Sequence, residues 1–243
     1  MKGFRFDGRT RPIVAAHRGA SGDALENSLD AFARSADDGA DLIELDVRLS
    51  ADGVPVVIHD ERTGRTARGN LRVSGCSADR LRSVRLKNGE PLPLLMEALE
   101  VVSGRVPVNI EVKVRGGMGA VAGVLRATGY SGELMLSSGL REECAAASSL
   151  LPGLPCGLVT GRPSASDIAF CLRHRLPSLH PDHRRLSALR IRKVLAAGLI
   201  LFPYTVDDPG RFLELAEAGA AGVFTNRPET LREAWRGRSG AGS

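Results

Sequence analysis

In Asp41-Leu42-Ile43-Glu44-Leu45-Asp46-Val47-Arg48, apolar and charged residues alternate. Successive side chains of a strand point to opposite faces, so Leu42, Glu44, Asp46 and Arg48 share one face and Ile43, Leu45 and Val47 the other. If the apolar face packs on helices, the acidic face points inward. Two carboxylates two residues apart repel each other unless positive charge lies between them. A divalent cation is one source. Oxygen-only donors then point to Mg²⁺, Ca²⁺ or Mn²⁺ rather than Zn²⁺. Salt bridges to inward Arg or Lys are the other.

The alternation returns in Asn109-Ile110-Glu111-Val112-Lys113. Asn109, Glu111 and Lys113 share the inner face. Glu111 adds a third carboxylate and Lys113 a cation for a ligand anion, unless the two form a structural pair. These strands belong to a series of eight: Ile13–Ala16, Leu42–Leu49, Val106–Val112, Leu134–Ser137, Gly157–Thr160, Ser178–His180, Leu199–Tyr204 and Gly222–Thr225. Helical patterns lie between them, near 27–38, 93–102, 117–128, 140–150, 164–174, 184–197, 208–218 and 228–236. Eight strand–helix units in a chain of 243 residues predict an α/β fold, a (β/α)₈ TIM barrel, with its active site at the C-terminal ends of the strands.

One segment departs from the alternation. Leu42–Leu49 runs through the turn Ala51-Asp52-Gly53 into Val54–His59, which reads as a hairpin. A polar stretch of about 60–91 follows and reads as a small insertion over the barrel mouth, with a short helix near Ala78–Val84. A single domain is expected over 1–236, with a flexible tail over 237–243.

The composition is that of an ordinary globular chain, with 43% hydrophobic and 25% charged residues. Aromatic residues are only 4%, so Leu, Val, Ile and Ala must fill the core. No run approaches the roughly 18 apolar residues of a membrane span, and no signal-peptide pattern follows Met1. Cys76, Cys144, Cys156 and Cys171 have no metal-type spacing and read as reduced thiols of a cytoplasmic protein. The net charge of +5 is spread along the chain, apart from a cluster at His183-Arg184-Arg185 and a tail with Arg236 and Arg238. No aromatic residues are interleaved as in base-stacking surfaces, so no nucleic-acid partner is expected, although the charge would draw in an anionic small-molecule substrate.

Ala16-His17-Arg18-Gly19 places a proton carrier and a phosphate-matching guanidinium at the end of the first strand. Val56-Val57-Ile58-His59-Asp60 ends the hairpin with a second histidine, which Asp60 either orients or merely follows as a turn. His17 and His59 beside an acidic cluster read as a general acid and a general base. Glu26 is a candidate for a metal ligand or a substrate hydroxyl, whereas Asn27 reads as a helix N-cap. Tyr204 suits a pocket wall against a substrate's carbon skeleton. His180, between Leu179 and Pro181, reads as a structural loop residue.

These motifs resemble the glycerophosphodiester phosphodiesterase family. The resemblance is carried by His17-Arg18-Gly19, Glu26-Asn27, Gly39 to Val47, Asp52-Gly53 and Val57-Ile58-His59-Asp60. It continues more weakly through Asn109 to Lys113, Ser137-Ser138, Tyr204 to Asp208 and Gly222 to Pro228. The family resemblance implies a distorted TIM barrel and a divalent cation on Glu44, Asp46 and Glu111. It also implies His17 and His59 as the acid–base pair and Arg18 and Lys113 on the phosphate. The expected reaction is hydrolysis of glycerophosphodiesters to sn-glycerol 3-phosphate and an alcohol. Tyr204 stands where the family usually has Trp, Gly139 where it has an aromatic, and Asn226 where it has Asp. Leu94-Leu95-Met96, followed by Glu97, replaces the usual acidic pair. The alternatives are a diesterase for lysophospholipids or sugar phosphodiesters, a lyase leaving a cyclic phosphate, and a metal-binding module without catalysis.

Overall fold

The computed structural model describes residues 1–240. After a two-residue strand, β1 (Lys2–Gly3), the chain enters β2 (Ile13–Ala16), α1 (Leu29–Asp37) and β3 (Leu42–Leu49). β4 (Pro55–Val57) turns back antiparallel on the end of β3, pairing Val47 with Val57. Then come α2 (Ala78–Ser83), α3 (Leu95–Val102), β5 (Val108–Val112), α4 (Gly117–Thr128), β6 (Glu133–Ser138), α5 (Arg141–Leu150), β7 (Cys156–Thr160) and α6 (Ala165–His174). The rest is β8 (Ser178–Pro181), α7 (Ala188–Ala196), β9 (Ile200–Leu201), α8 (Pro209–Glu217), β10 (Gly222–Thr225) and α9 (Pro228–Gly240).

The parallel strand order β10-β2-β3-β5-β6-β7-β8-β9 nearly closes on itself, which is the expected TIM barrel. β9 is shorter than the expected Leu199–Tyr204 because Pro203 has no N–H to donate to a ladder. The seam is joined instead by single backbone hydrogen bonds, from Ala221 N to Leu201 O at 3.0 Å and from Phe224 N to Pro203 O at 2.9 Å.

The alternation in β3 sorts its side chains as expected. Ile43, Leu45 and Val47 join the large core between barrel and helices, while Leu42 packs inside the barrel with Phe4, Ile13, Ala15, Met135, Phe202 and Phe224. Phe4 directly follows β1, an element the periodicity did not predict, which pairs with Glu133 and Leu134 of β6. A third cluster lies over β4, where Val56 and Ile58 pack with Val73, Leu81, Leu86 and Leu92 of the segment that follows the hairpin. Arg82 ties that segment to the barrel through Glu97 of α3, at 2.6 and 2.7 Å.

Helix starts follow local chemistry. Ser164, Ser187 and Asp208 each accept from a backbone N–H at the starts of α6, α7 and α8, and Pro209 begins α8. The expected cap of α1 is corrected by one residue: Ser28 Oγ accepts from Ala31 N at 3.1 Å, and Asn27 has another task. The helix expected over 184–197 divides into a 3₁₀ turn (His183–Arg185) and α7. α9 runs to Gly240, so helix extends into the stretch read as a tail, and residues 241–243 lie outside the described residues. All four cysteines are free, and no helix among the described residues is long and apolar enough to cross a membrane.

Candidate active site

β3 and β5 are neighbours in register, with Glu44 opposite Asn109 and Asp46 opposite Glu111. The register gathers carboxylate oxygens of Glu44, Asp46 and Glu111 within 4.8 Å of one another. Glu44 is 1% exposed and Asp46 fully buried. Burial, then the charges of Asp46 and Glu111, pushes the Glu44 carboxyl well above its ordinary range. Burial also raises Glu111. It raises Asp46 too, but the Lys113 and Arg18 charges outweigh it and hold that carboxyl well below the usual range.

The cluster has its own cations. Lys113 Nζ lies 2.5 Å from Glu111 Oε1 and 3.1 Å from Asp46 Oδ1. Arg18 Nε lies 3.1 Å from Asp46 Oδ2, and its backbone N–H donates to Glu44 Oε2 at 2.8 Å. The inward salt bridges considered as an alternative to a cation are therefore present, but they are incomplete. Three carboxylates face two cations, and two buried oxygens, Glu44 Oε1 and Asp46 Oδ1, accept no aligned hydrogen bond. Buried oxygens without donors are costly, and a hard cation is what oxygen-only donors with residual negative charge fit. Glu44, Asp46 and Glu111 could hold a divalent ion.

The backbone is shaped to present these groups. Arg18 and Gly19 both have positive φ, at 59° and 81°. A Cβ on Gly19 would lie 2.8 Å from the backbone of Ala31, so only glycine lets the turn after β2 sit against α1. Asn27, at φ 54°, donates from Nδ2 to Asp46 Oδ2 at 2.8 Å and accepts from Asp46 N at 3.2 Å. Glu26 is not part of the cluster of three carboxylates. It is held by Arg18 Nη1 at 2.8 Å and by Arg65, which also bonds Asp60 Oδ2 at 2.5 Å.

The two imidazoles have different partners. His17 Nδ1 lies 2.8 Å from Asn226 Oδ1. Burial, then the Arg18 charge, pushes His17 down to about 4. His59 Nδ1 lies 2.7 Å from Asp60 Oδ1, and Arg48 Nε fixes the His59 carbonyl at 2.7 Å. Burial raises the Asp60 carboxyl, but Arg65 and His59 outweigh it and hold it at about 2.

A cavity of about 190 Å³ at the C-terminal mouth is lined by His17, Arg18, Glu44, His59, Glu111, Lys113 and Tyr204. The sequence-derived candidates converge there except Asp46, which is buried, and Glu26, which sits behind Arg18. Tyr204 forms wall, its hydroxyl 3.3 Å from Thr160 O. His180, expected at the end of the strand Ser178–His180 and read as a structural residue, lies on β8 and also lines the same cavity. Its ring packs near Phe202 and Phe224, and its Nε2 pairs with Ser178 Oγ at 3.0 Å. Asn27, Asn226 and Arg65 were not assigned to the site by sequence. Asn27 and Asn226 stood in the resemblance without an assigned role in the site, and Arg65 was unmarked.

Residues 17–230 match the model of the glycerophosphoryl diester phosphodiesterase family. A glycerophosphodiester phosphodiesterase of Caldanaerobacter subterraneus is 30% identical over 91% of this chain and 96% of its own length. A solved Oleispira antarctica phosphodiesterase in complex with the product sn-glycerol-3-phosphate superposes with a TM-score of 0.87 at 26% identity, covering 93% of this chain and 97% of its own. The glycerophosphodiester phosphodiesterase structure from Thermotoga maritima gives 0.77 at 27% identity, covering 93% and 99%. The chain belongs to the glycerophosphoryl diester phosphodiesterase family and is a phosphodiesterase.

Proposed function

We propose that the chain hydrolyses glycerophosphodiesters to sn-glycerol 3-phosphate and an alcohol, using a hard divalent cation and the His17–His59 pair. The observation that carries this reading is the single cavity on which both imidazoles, Arg18, Lys113 and two of the three clustered carboxylates open. The phosphodiester name of the family and the product bound by the Oleispira relative support it.

Glu44, Asp46 and Glu111 would hold the cation, which when bound supplies Lewis-acid stabilisation of the phosphoryl oxygens. Arg18 and Lys113 add donors to the same oxygens. Asn226 Nδ2 donates to Asp207 Oδ2 at 2.8 Å, so its Oδ1 is an acceptor and His17 Nδ1 carries the proton. That tautomer leaves His17 Nε2 free to take the proton of the attacking hydroxyl. His59 is oriented through its Nδ1 by Asp60 Oδ1, 2.7 Å away, which leaves Nε2 to face the cavity and, with His17 as the base, to protonate the departing alcohol. If a glycerol hydroxyl attacks first, the cyclic phosphate formed is opened by water with the two roles exchanged.

Replacing either imidazole by Ala should lower turnover about 10²–10⁴-fold. Wild-type rates for both His17→Ala and His59→Ala would overturn the assignment.

A further inference from the structure

A second polar hollow lies on the same end of the barrel. It has a volume of about 330 Å³ and is lined by Arg162, Arg184, Arg185 and Arg190 with Leu186 and Ser187. Arg162 follows β7, Arg184 and Arg185 sit in the 3₁₀ turn after β8, and Arg190 lies in the first turns of α7. All four follow the C-terminal ends of the adjacent strands β7 and β8.

Charge in the hollow is unbalanced. No carboxylate lines it; Asp182 beside it pairs with Arg184 at 2.9 Å and lies 3.9 Å from Arg185. Among the described residues, Arg162 and Arg190 make no salt bridge. Four guanidiniums lining one hollow repel one another, an arrangement that a multiply charged anion relieves. The planar fork of each guanidinium matches the oxygens of a phosphate.

The turn that lines the hollow is hydrogen-bonded to the wall of the catalytic cavity. Asp182 N donates to Thr160 O at 3.1 Å, and the Tyr204 hydroxyl points to the same carbonyl. His183 N donates to Tyr204 O at 2.9 Å. Tyr204 thus lines the cavity while its backbone anchors the turn that carries Arg184 and Arg185.

We propose that Arg162, Arg184, Arg185 and Arg190 form an anion subsite that binds a phosphate monoester carried on the alcohol part of the substrate. The proposal rests on the hydrolase reading above, and it names the substrate class: glycerophosphodiesters whose leaving alcohol is itself phosphorylated.

The test uses the full chain and a matched pair of substrates, glycerophosphoinositol 4-phosphate and glycerophosphoinositol, followed by coupled detection of sn-glycerol 3-phosphate. The phosphorylated diester should show a higher kcat/KM by about ten- to a hundredfold, carried mainly by KM, as charged hydrogen bonds of this number allow. The variant Arg162→Gln/Arg184→Gln/Arg190→Gln should remove that preference and leave turnover of glycerophosphoinositol within about twofold, so the unphosphorylated diester reports intact folding. Removing the same charge elsewhere, in Arg85→Gln/Arg173→Gln/Arg192→Gln at exposed positions, should leave the preference in place. Three results overturn the subsite while the hydrolase reading stands: equal kcat/KM for the two diesters, a preference that survives in the triple variant, or equal loss in the control variant. Turnover of neither diester overturns both.

Discussion

Asn226 Oδ1 accepts from His17 Nδ1 across 2.8 Å, and Asp207 in turn holds Asn226 through both its side-chain amide and its backbone N–H, at 2.8 and 2.7 Å. The imidazole is therefore oriented by a neutral amide that is itself fixed by a carboxylate. Asn226→Ala frees the ring while leaving it chemically intact. Steady-state kinetics should show kcat reduced at least about tenfold, short of the loss from deleting the imidazole, with KM little changed. An unchanged kcat would mean that His17 needs no orientation from this side.

Asn27 clamps Asp46 from both ends of its carboxamide. Its positive φ is a second requirement, and Gly meets that requirement without the amide. Asn27→Gly should therefore fold yet need roughly 10–100-fold more divalent cation for half-maximal activity, the usual effect of removing a group that orients a metal ligand. Metal-activation curves for the wild type and the variant check this. Coincident curves would show that Asp46 is positioned without Asn27.

The barrel and the acid cluster were legible because alternation is a local signal. Eight residues of β3 display both faces at once, and β5 repeats the pattern in register. The groups that orient the site were hidden because their partners are remote in sequence: Asn226 meets His17 across 209 positions, and Arg65 meets Glu26 across 39. Asn27 was read as a cap because caps and clamps use the same residue type next to a helix. β1 was missed because two residues carry no periodicity. His180 was expected at the end of its strand, but its place in the cavity wall was not legible because a histidine before proline also suits a structural turn.

His180 and Gly157 occupy one space inside the barrel. A Cβ at Gly157 would overlap the His180 ring and come within 2.7 Å of Ser178 Oγ. Gly157→Ala should cost about 1–3 kcal/mol by overpacking. Combined with His180→Ala, the cost should shrink by about 1 kcal/mol or more, because the clashing ring is gone. Urea unfolding of the four species measures this. Strict additivity would place the two residues apart.

Burial pushes His180 down to about 3. The folded chain therefore keeps this imidazole neutral, while the unfolded chain protonates it below about pH 6.5. Its contribution is complete above that value and is lost as pH falls toward 3, at up to about 1.4 kcal/mol per pH unit. His180→Gln should flatten the decline in urea midpoint between pH 6.5 and 4.5 relative to wild type. Parallel declines would mean that the imidazole is protonated in the folded state.

The cation-assisted site is tested most directly by the initial rate of sn-glycerol 3-phosphate release from glycerophosphoinositol after exhaustive chelation, followed by stepwise return of Mg²⁺, Mn²⁺ or Ca²⁺, for the wild type and Glu44→Gln. The account expects the stripped wild type to lose activity and at least one of these ions to restore it, with Glu44→Gln restored poorly or only at much higher ion concentration. Full activity after chelation, together with wild-type rates for Glu44→Gln, would contradict it.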